Sequence, residues 1–136
     1  MKLTLDIITP QSKVYSGEAD EVIVPTVTGE IGILPNHVPL LIQILPGELR
    51  VKNGGKTNSF AIMGGYLEVA NNTVNVLGDY AVRAEDIEVA KAEQAKARAE
   101  KMRQEKVSQQ DLATIEADLR RSLLELKVAT RRRRSS

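Results

Sequence analysis

The 136-residue sequence contains no cysteine, which excludes disulfide scaffolds, thiolate metal sites and cysteine nucleophiles. Its one histidine, His37, leaves no imidazole pair or multi-histidine metal site within a single chain. Tryptophan is absent and aromatics make up 3% of the residues, so few ring faces are available for stacking bases, and single-stranded nucleic-acid binding is disfavoured. The 19 Lys plus Arg nearly cancel the 18 Asp plus Glu, so no global field selects nucleic acid or acidic lipid. No apolar run approaches the roughly 18 residues of a membrane span, and Asp6 interrupts the start where a signal peptide needs hydrocarbon. A soluble, unprocessed chain is expected, of a length suited to about one compact domain with an appendage.

Across residues 3–82 short apolar alternations are broken about every ten residues by turn signals, among them Thr9-Pro10, Ser16-Gly17, Pro35-Asn36, Pro46-Gly47 and Gly78-Asp79. That spacing reads as strands of a sandwich or barrel. Asn71-Asn72 and Asn53-Gly54-Gly55 each supply residues that tolerate positive φ, and each is expected to close a hairpin. Gly64-Gly65 follows an apolar run without the spacing of a phosphate loop, so a strand bend or bulge is expected there.

The text changes near residue 83. Beyond Asp86 there is no glycine and no proline, and Ala, Glu, Lys, Arg, Gln and Leu dominate. Two helices are predicted, over residues 86–105 and 109–130, packed as an antiparallel hairpin. The first has an alanine-rich stripe of Val89, Ala92, Ala95, Ala99 and Met102, and the second a fuller one of Leu112, Ile115, Leu119, Leu123 and Leu126. Glu85, Asp86 and Glu88 are placed where they offset the positive end of the first helix dipole. Ser108, three residues before Asp111, is expected to cap the second helix. Two domains are therefore expected: a sandwich over residues 1–83 and a helical hairpin with a basic tail over 84–136. Residues 1–80 carry 5 bases and 8 acids and residues 81–136 carry 14 and 10, so the two parts suit different surroundings. Alanine methyls bury much less area than leucines, so the first helix is expected to dock weakly and the hairpin to open while its helices persist.

His37 lies in the proline-flanked stretch Leu34-Pro35-Asn36-His37-Val38-Pro39, a loop rather than a helix or central strand. No Gly-x-Ser-x-Gly elbow accompanies it, and it reads as a structural or interface residue without a catalytic role. The run Arg131-Arg132-Arg133-Arg134 follows Arg120, Arg121 and Lys127, giving either a solvated tail or a cationic rod end suited to an acidic surface.

The stretch Gly29-Glu30-Ile31-Gly32-Ile33-Leu34-Pro35-Asn36-His37-Val38-Pro39-Leu40-Leu41, then Met63-Gly64-Gly65-Tyr66-Leu67-Glu68-Val69, Val74-Asn75-Val76-Leu77 and Ala84-Glu85-Asp86-Ile87, resembles the epsilon subunit of F-type ATP synthases. Within them, Leu34-Pro35-Asn36-His37 and Met63-Gly64-Gly65 look most like the chloroplast and cyanobacterial branch. The resemblance covers the chain and implies an N-terminal antiparallel β-sandwich of about ten strands followed by a two-helix hairpin. It further implies a non-catalytic rotor subunit, peripheral on the cytoplasmic or stromal face of a coupling membrane such as the thylakoid. Implied partners are the gamma subunit, the c-subunit ring and, through an extended hairpin that blocks ATP hydrolysis, the alpha and beta subunits. Glu30, Gly32 and His37 match the part of the family that faces the c ring. Arg120, Arg121, Lys127, Arg131, Arg132, Arg133 and Arg134 then become candidates for inhibitory contact with acidic loops of beta.

Some bacterial members of that family bind ATP through a motif of Ile or Leu, Asp, two variable residues, Arg and Ala. Here the matching stretch is Ile87-Glu88-Val89-Ala90-Lys91-Ala92, with both charged positions altered. Lys91 lacks the planar fork that grips phosphate oxygens in pairs, and Glu88 is one methylene longer than Asp. Arg98 and Arg121 still fall where ATP-binding members carry arginines, while Val82 and Glu125 stand in place of an acid and an arginine. No cofactor is expected, with ATP a weak or absent regulatory ligand. The competing reading is an adaptor that presents a fixed hairpin to some other assembly.

Overall fold

A computed structural model of the chain describes residues 1–105 and 108–135. They form two compact units, Met1–Arg83 and Ala84–Ser136. In the first, eight strands run in the order β1 (Leu3–Ile8), β2 (Lys13–Ala19), β3 (Glu21–Thr26), β4 (Gly29–Ile33), β5 (Leu40–Asn53), β6 (Lys56–Ala70), β7 (Thr73–Gly78) and β8 (Ala81–Arg83). One hydrogen-bonded path, β2-β1-β7-β6-β5-β3-β4, links all but β8, which pairs with β6. Every pairing is antiparallel except β1 with β7.

The count is eight where about ten were expected, and the reason is local. The strands β5 and β6, of 14 and 15 residues, pair without a change of register from Leu40 opposite Val69 to Asn53 opposite Lys56. Gly64 and Gly65 bend β6 with φ of 99° and 124°, conformations L side chains rarely adopt, yet the strand continues through them. Beyond the bend β6 changes neighbour: residues 65–70 pair with β7 and residues 60–62 with β8. Each long strand thus serves both layers of the sandwich, and the expected bend occurs without a bulge. A Cβ on Gly65 would lie 2.0 Å from the Leu77 carbonyl oxygen, so the close approach of β7 requires glycine there.

The turns follow their residues. Asn71 and Asn72, at φ of 50° and 60°, close β6 to β7, and Gly54 and Gly55, at 60° and 80°, close β5 to β6. Asp20 accepts hydrogen bonds from the Gly54 amide at 2.8 Å and lies 3.3 Å from the Lys2 ammonium, which together hold its carboxyl below the ordinary value of 3.8. Inward residues of every other position, including Leu3, Leu5, Ile7, Val22, Val24, Ile44, Leu49, Leu67, Val74 and Val76, surround Phe60 in one core. Tyr15 meets Phe60 edge to face at 5.6 Å, and the Arg83 guanidinium lies 5.5 Å and 5.7 Å from the two rings, fastening the last residue of β8.

In the second unit a 3-10 turn, Ala84–Asp86, precedes α1 (Val89–Arg103) and α2 (Gln109–Ser135). The first helix starts three residues later than expected. Glu88 is extended at its N-cap, and Glu85 and Asp86 belong to the 3-10 turn, so no acid falls in the first turn of α1. It ends where the Gln104 and Glu105 amides bond back three residues, to Lys101 and Met102. The Asp111 amide donates to Ser108 Oγ at 3.1 Å, the expected cap of α2. The second helix runs five residues past the predicted end, through the arginine run to Ser135; arginine is a good helix former, and no glycine or proline stops it.

The packing stripe also differs from the expected one. On α1 only Ala92 and Ala99 are buried, while Met102 is 39% exposed. On α2 the buried positions are Ile115, Leu119, Ser122, Val128 and Ala129, with Leu123 45% exposed. Positions 115, 119, 122, 126 and 129 follow the four-three alternation of a straight helix face, and that face passes through Ser122. The serine hydroxyl is satisfied by donating to the Asp118 carbonyl at 3.0 Å, so its burial leaves no open hydrogen bond.

Candidate functional site

On the outward side of β3, β4 and β5 the alternation places Glu21, Ile23, Glu30, Gly32, Glu48, Arg50 and Lys52 together, with Ile23 opposite both Arg50 and Gly32. The Arg50 guanidinium reaches Glu30 at 2.8 Å and Glu48 at 3.9 Å. Lys52 lies 3.6 Å from Glu21. The Glu21 carboxylate in turn covers Gly32: a Cβ there would stand 2.8 Å from its Oε2. Glycine therefore makes room for a carboxylate in a ladder of alternating charge. These partly exposed pairs are worth at most about 1 kcal/mol each and serve to orient more than to stabilise.

His37 sits on the exposed loop of residues 34–39. Its Nδ1 is 2.7 Å from the Val38 carbonyl, and its amide donates to Leu34 at 3.2 Å, closing the Pro35-Asn36 turn in which Asn36 has a φ of 66°. Glu30 and His37 thus have separate partners, one across the strands and the other within its own loop.

A surface that the sequence reading did not single out lies on β5, β6 and β7. Gln43, Tyr66 and Leu77 face one another across the three strands, and Leu41 and Leu45 flank Gln43 on the same side of β5. Leu41 is 70% exposed and Tyr66 55%, with Leu45 and Leu77 comparable. The signal was present in Leu40-Leu41-Ile42-Gln43-Ile44-Leu45, where apolar residues occupy both phases of a strand and so both faces of a sheet. An apolar sheet face open to solvent marks an interaction surface.

In the helical unit the four nucleotide candidates fall in two places. Glu88 and Lys91 pair with each other at 2.9 Å on the exposed start of α1. Arg98 and Arg121 line a cleft of about 240 Å³ between α1 and α2, together with Asp111, Asp118, Ala99, Met102 and Ile115. Arg121 lies 3.9 Å from Asp118 and 3.8 Å from Glu125. A second, more open cleft of about 440 Å³ has Lys96, Lys127 and Arg131 around Leu123 and Leu126. Of the inhibitory candidates, Arg120, Lys127 and Arg131 are exposed and Arg121 is half-buried; the side chains of Arg132, Arg133 and Arg134 lie outside the described residues. Among the described residues no helix is long and apolar enough to cross a membrane.

Two family models match consecutively: ATP synthase, Delta/Epsilon chain, beta-sandwich domain, over residues 2–84, and ATP synthase, Delta/Epsilon chain, long alpha-helix domain, over residues 85–130. The chain is 44% identical over 133 residues to the ATP synthase epsilon chain of Herpetosiphon aurantiacus, covering 98% of each. It is 46% identical over 134 residues to that of Dehalococcoides mccartyi, covering 98% of this chain and 96% of the relative. Among solved structures it superposes with a TM-score of 0.73 and 23% identity on a chain of the Euglena gracilis mitochondrial ATP synthase, OSCP/F1/c-ring in rotational state 1, over 95% of this chain and 81% of that one. These sequence relatives come from neither a chloroplast nor a cyanobacterium, so the expected chloroplast and cyanobacterial branch has no support.

Proposed function

The chain belongs to the delta/epsilon family of ATP synthase subunits, and we propose that it is a non-catalytic component of the central stalk, joining gamma to the c ring and restraining ATP hydrolysis through its helical hairpin. The observation that carries the reading is the outward apolar face of Leu41, Leu45, Tyr66 and Leu77, which suits a permanent protein neighbour. Covering what remains exposed of each, about half of the side chain, is worth roughly 1–2 kcal/mol before the costs of association. Gamma is assigned to this face, and Glu30, Gly32 and His37 to the c ring. The chain then sits peripherally on the coupling membrane; the bacterial relatives give a thylakoid location no support.

The hairpin supplies the restraint. Within it α1 contributes only the methyls of Ala92 and Ala99 as buried side chains, about 0.8 kcal/mol each by transfer. A competing surface therefore displaces α1 readily, and the exposed Arg120, Lys127 and Arg131 suit the acidic side chains of the catalytic subunits. ATP is at most a weak ligand: Asp111 and Asp118 line the cleft that holds Arg98 and Arg121, and Glu88 neutralises Lys91. Truncation after Arg83 is expected to raise ATP hydrolysis by the assembled enzyme while the rotor still forms. Unchanged hydrolysis in that truncated complex overturns the inhibitory assignment.

A further inference from the structure

The His37 loop is tied to the hairpin turn that joins β6 to β7, and the tie runs through one side chain. Asn72 Oδ1 accepts the Asn36 amide at 2.6 Å, and Asn72 Nδ2 is 3.5 Å from Asn36 Oδ1, so the two asparagines engage each other reciprocally across 36 residues of sequence. The Asn72 carbonyl also accepts the Thr4 amide at 2.9 Å, anchoring the turn to the start of β1. Both asparagines have positive φ, at 66° and 60°, a conformation in which few residues other than glycine settle without strain. A proline on either side of the loop, Pro35 and Pro39, restricts it further, yet Asn36 itself has no regular strand partner.

We propose that Asn72 is a positioning residue for the c-ring contact: it holds the loop of residues 34–39 in the shape that presents His37 and Val38 to the partner. This rests on the assignment of that loop to the c ring. The chemistry fits the task. A side-chain amide supplies an acceptor for the backbone and a donor for the neighbouring side chain at once, and a loop ordered before contact avoids part of the ordering cost on binding. The role is separable from the turn itself, because glycine accepts the same φ and leaves the β6–β7 connection intact while deleting both side-chain bonds to Asn36, along with the contact of Asn72 Nδ2 with Met1 Sδ at 3.3 Å.

The test uses the full-length chain titrated onto a rotor of gamma and c ring that lacks it, with Asn72→Gly, Asn72→Asp and His37→Ala, and follows amide hydrogen exchange of residues 36–38 in the free subunit. Asn72→Gly is expected to exchange faster at those amides and to bind about three- to tenfold more weakly, the loss expected for one hydrogen bond. Asn72→Asp keeps the acceptor for the Asn36 amide and is expected to bind within about twofold of the parent. Normal binding of Asn72→Gly beside weakened His37→Ala overturns the positioning role and leaves the loop contact standing. Equal weakening of the Gly and Asp variants overturns the role of the accepting oxygen. Normal binding of both Asn72→Gly and His37→Ala removes the c-ring assignment of the loop and this inference with it.

Discussion

Replacing Leu119 by alanine bears directly on how firmly the helical hairpin is closed. Leu119 is 6% exposed and clusters with Ala99 and Ile115, so it is one of two large side chains in the cluster that joins the helices. Its neighbour on α1 is a methyl that cannot expand to fill the space. Large-to-small changes at such positions cost about 2–5 kcal/mol; the small size of the cluster puts this one near 2–3 kcal/mol, or about 30- to 150-fold in the closing equilibrium. A hairpin closed 99 times in 100 would fall to between about three-quarters and two-fifths closed. Spin labels at the exposed Ala90 and Thr130 of the full-length subunit read this as a second, longer distance appearing in Leu119→Ala. Leu123→Ala is the matched control: the same chemistry at a 45% exposed position on the same helix is expected to leave the distribution unchanged. Equal distributions in all three proteins, or a larger effect from Leu123 than from Leu119, would refute the reasoning that small, few contacts close the hairpin along the face through Ser122.

Other expectations follow from the sandwich and its turns. Gly65→Ala puts a Cβ 2.0 Å from the Leu77 oxygen at a φ of 124°, and strain and overpacking together should cost about 3 kcal/mol or more, seen in calorimetry as a fall of more than about 10 °C in the sandwich transition. Asp20 is stabilised as a carboxylate by the Gly54 amide first and Lys2 second, so its contribution is complete above its unfolded value of 3.8 and is lost as pH falls through its lower folded value. A carbon-detected titration should place its midpoint below 3.8, and Asp20→Asn should flatten the acid limb of the stability curve; a midpoint at or above 3.8 contradicts the assigned hydrogen bonds.

Much of the fold was readable because its decisive signals are local. Asn71-Asn72 and Gly54-Gly55 announce their turns through the conformations they tolerate, and Ser108 announces a cap through its distance from Asp111. The strand count was less legible because Pro46-Gly47 and Gly64-Gly65 look like breaks in sequence, whereas their hydrogen-bonding ladder continues on either side and the chain only bends. On α2 the hydrophobic alphabet favoured Leu123 over Ser122, but the helical repeat places the serine inward, and its bond to Asp118 makes that burial tolerable. At the surfaces, the loop sequence singled out His37 and the resemblance added Glu30, whereas the Arg50 partner of Glu30 and the Asn36–Asn72 tie on the loop that carries His37 are seen only in the fold. Leu41, Leu45, Tyr66 and Leu77 escaped notice because an apolar residue meant for a neighbour and one meant for the core have the same composition.

Continuity of β5 and β6 through both layers has a mechanical consequence. Two stacked sheets joined only by loops resist sliding through side-chain friction, but here covalent main chain crosses from one to the other at two adjacent places. A twisting load applied to the strands beside β7 is carried along the peptide backbone to the strands beside β8. A base built in this way yields as one body under torque.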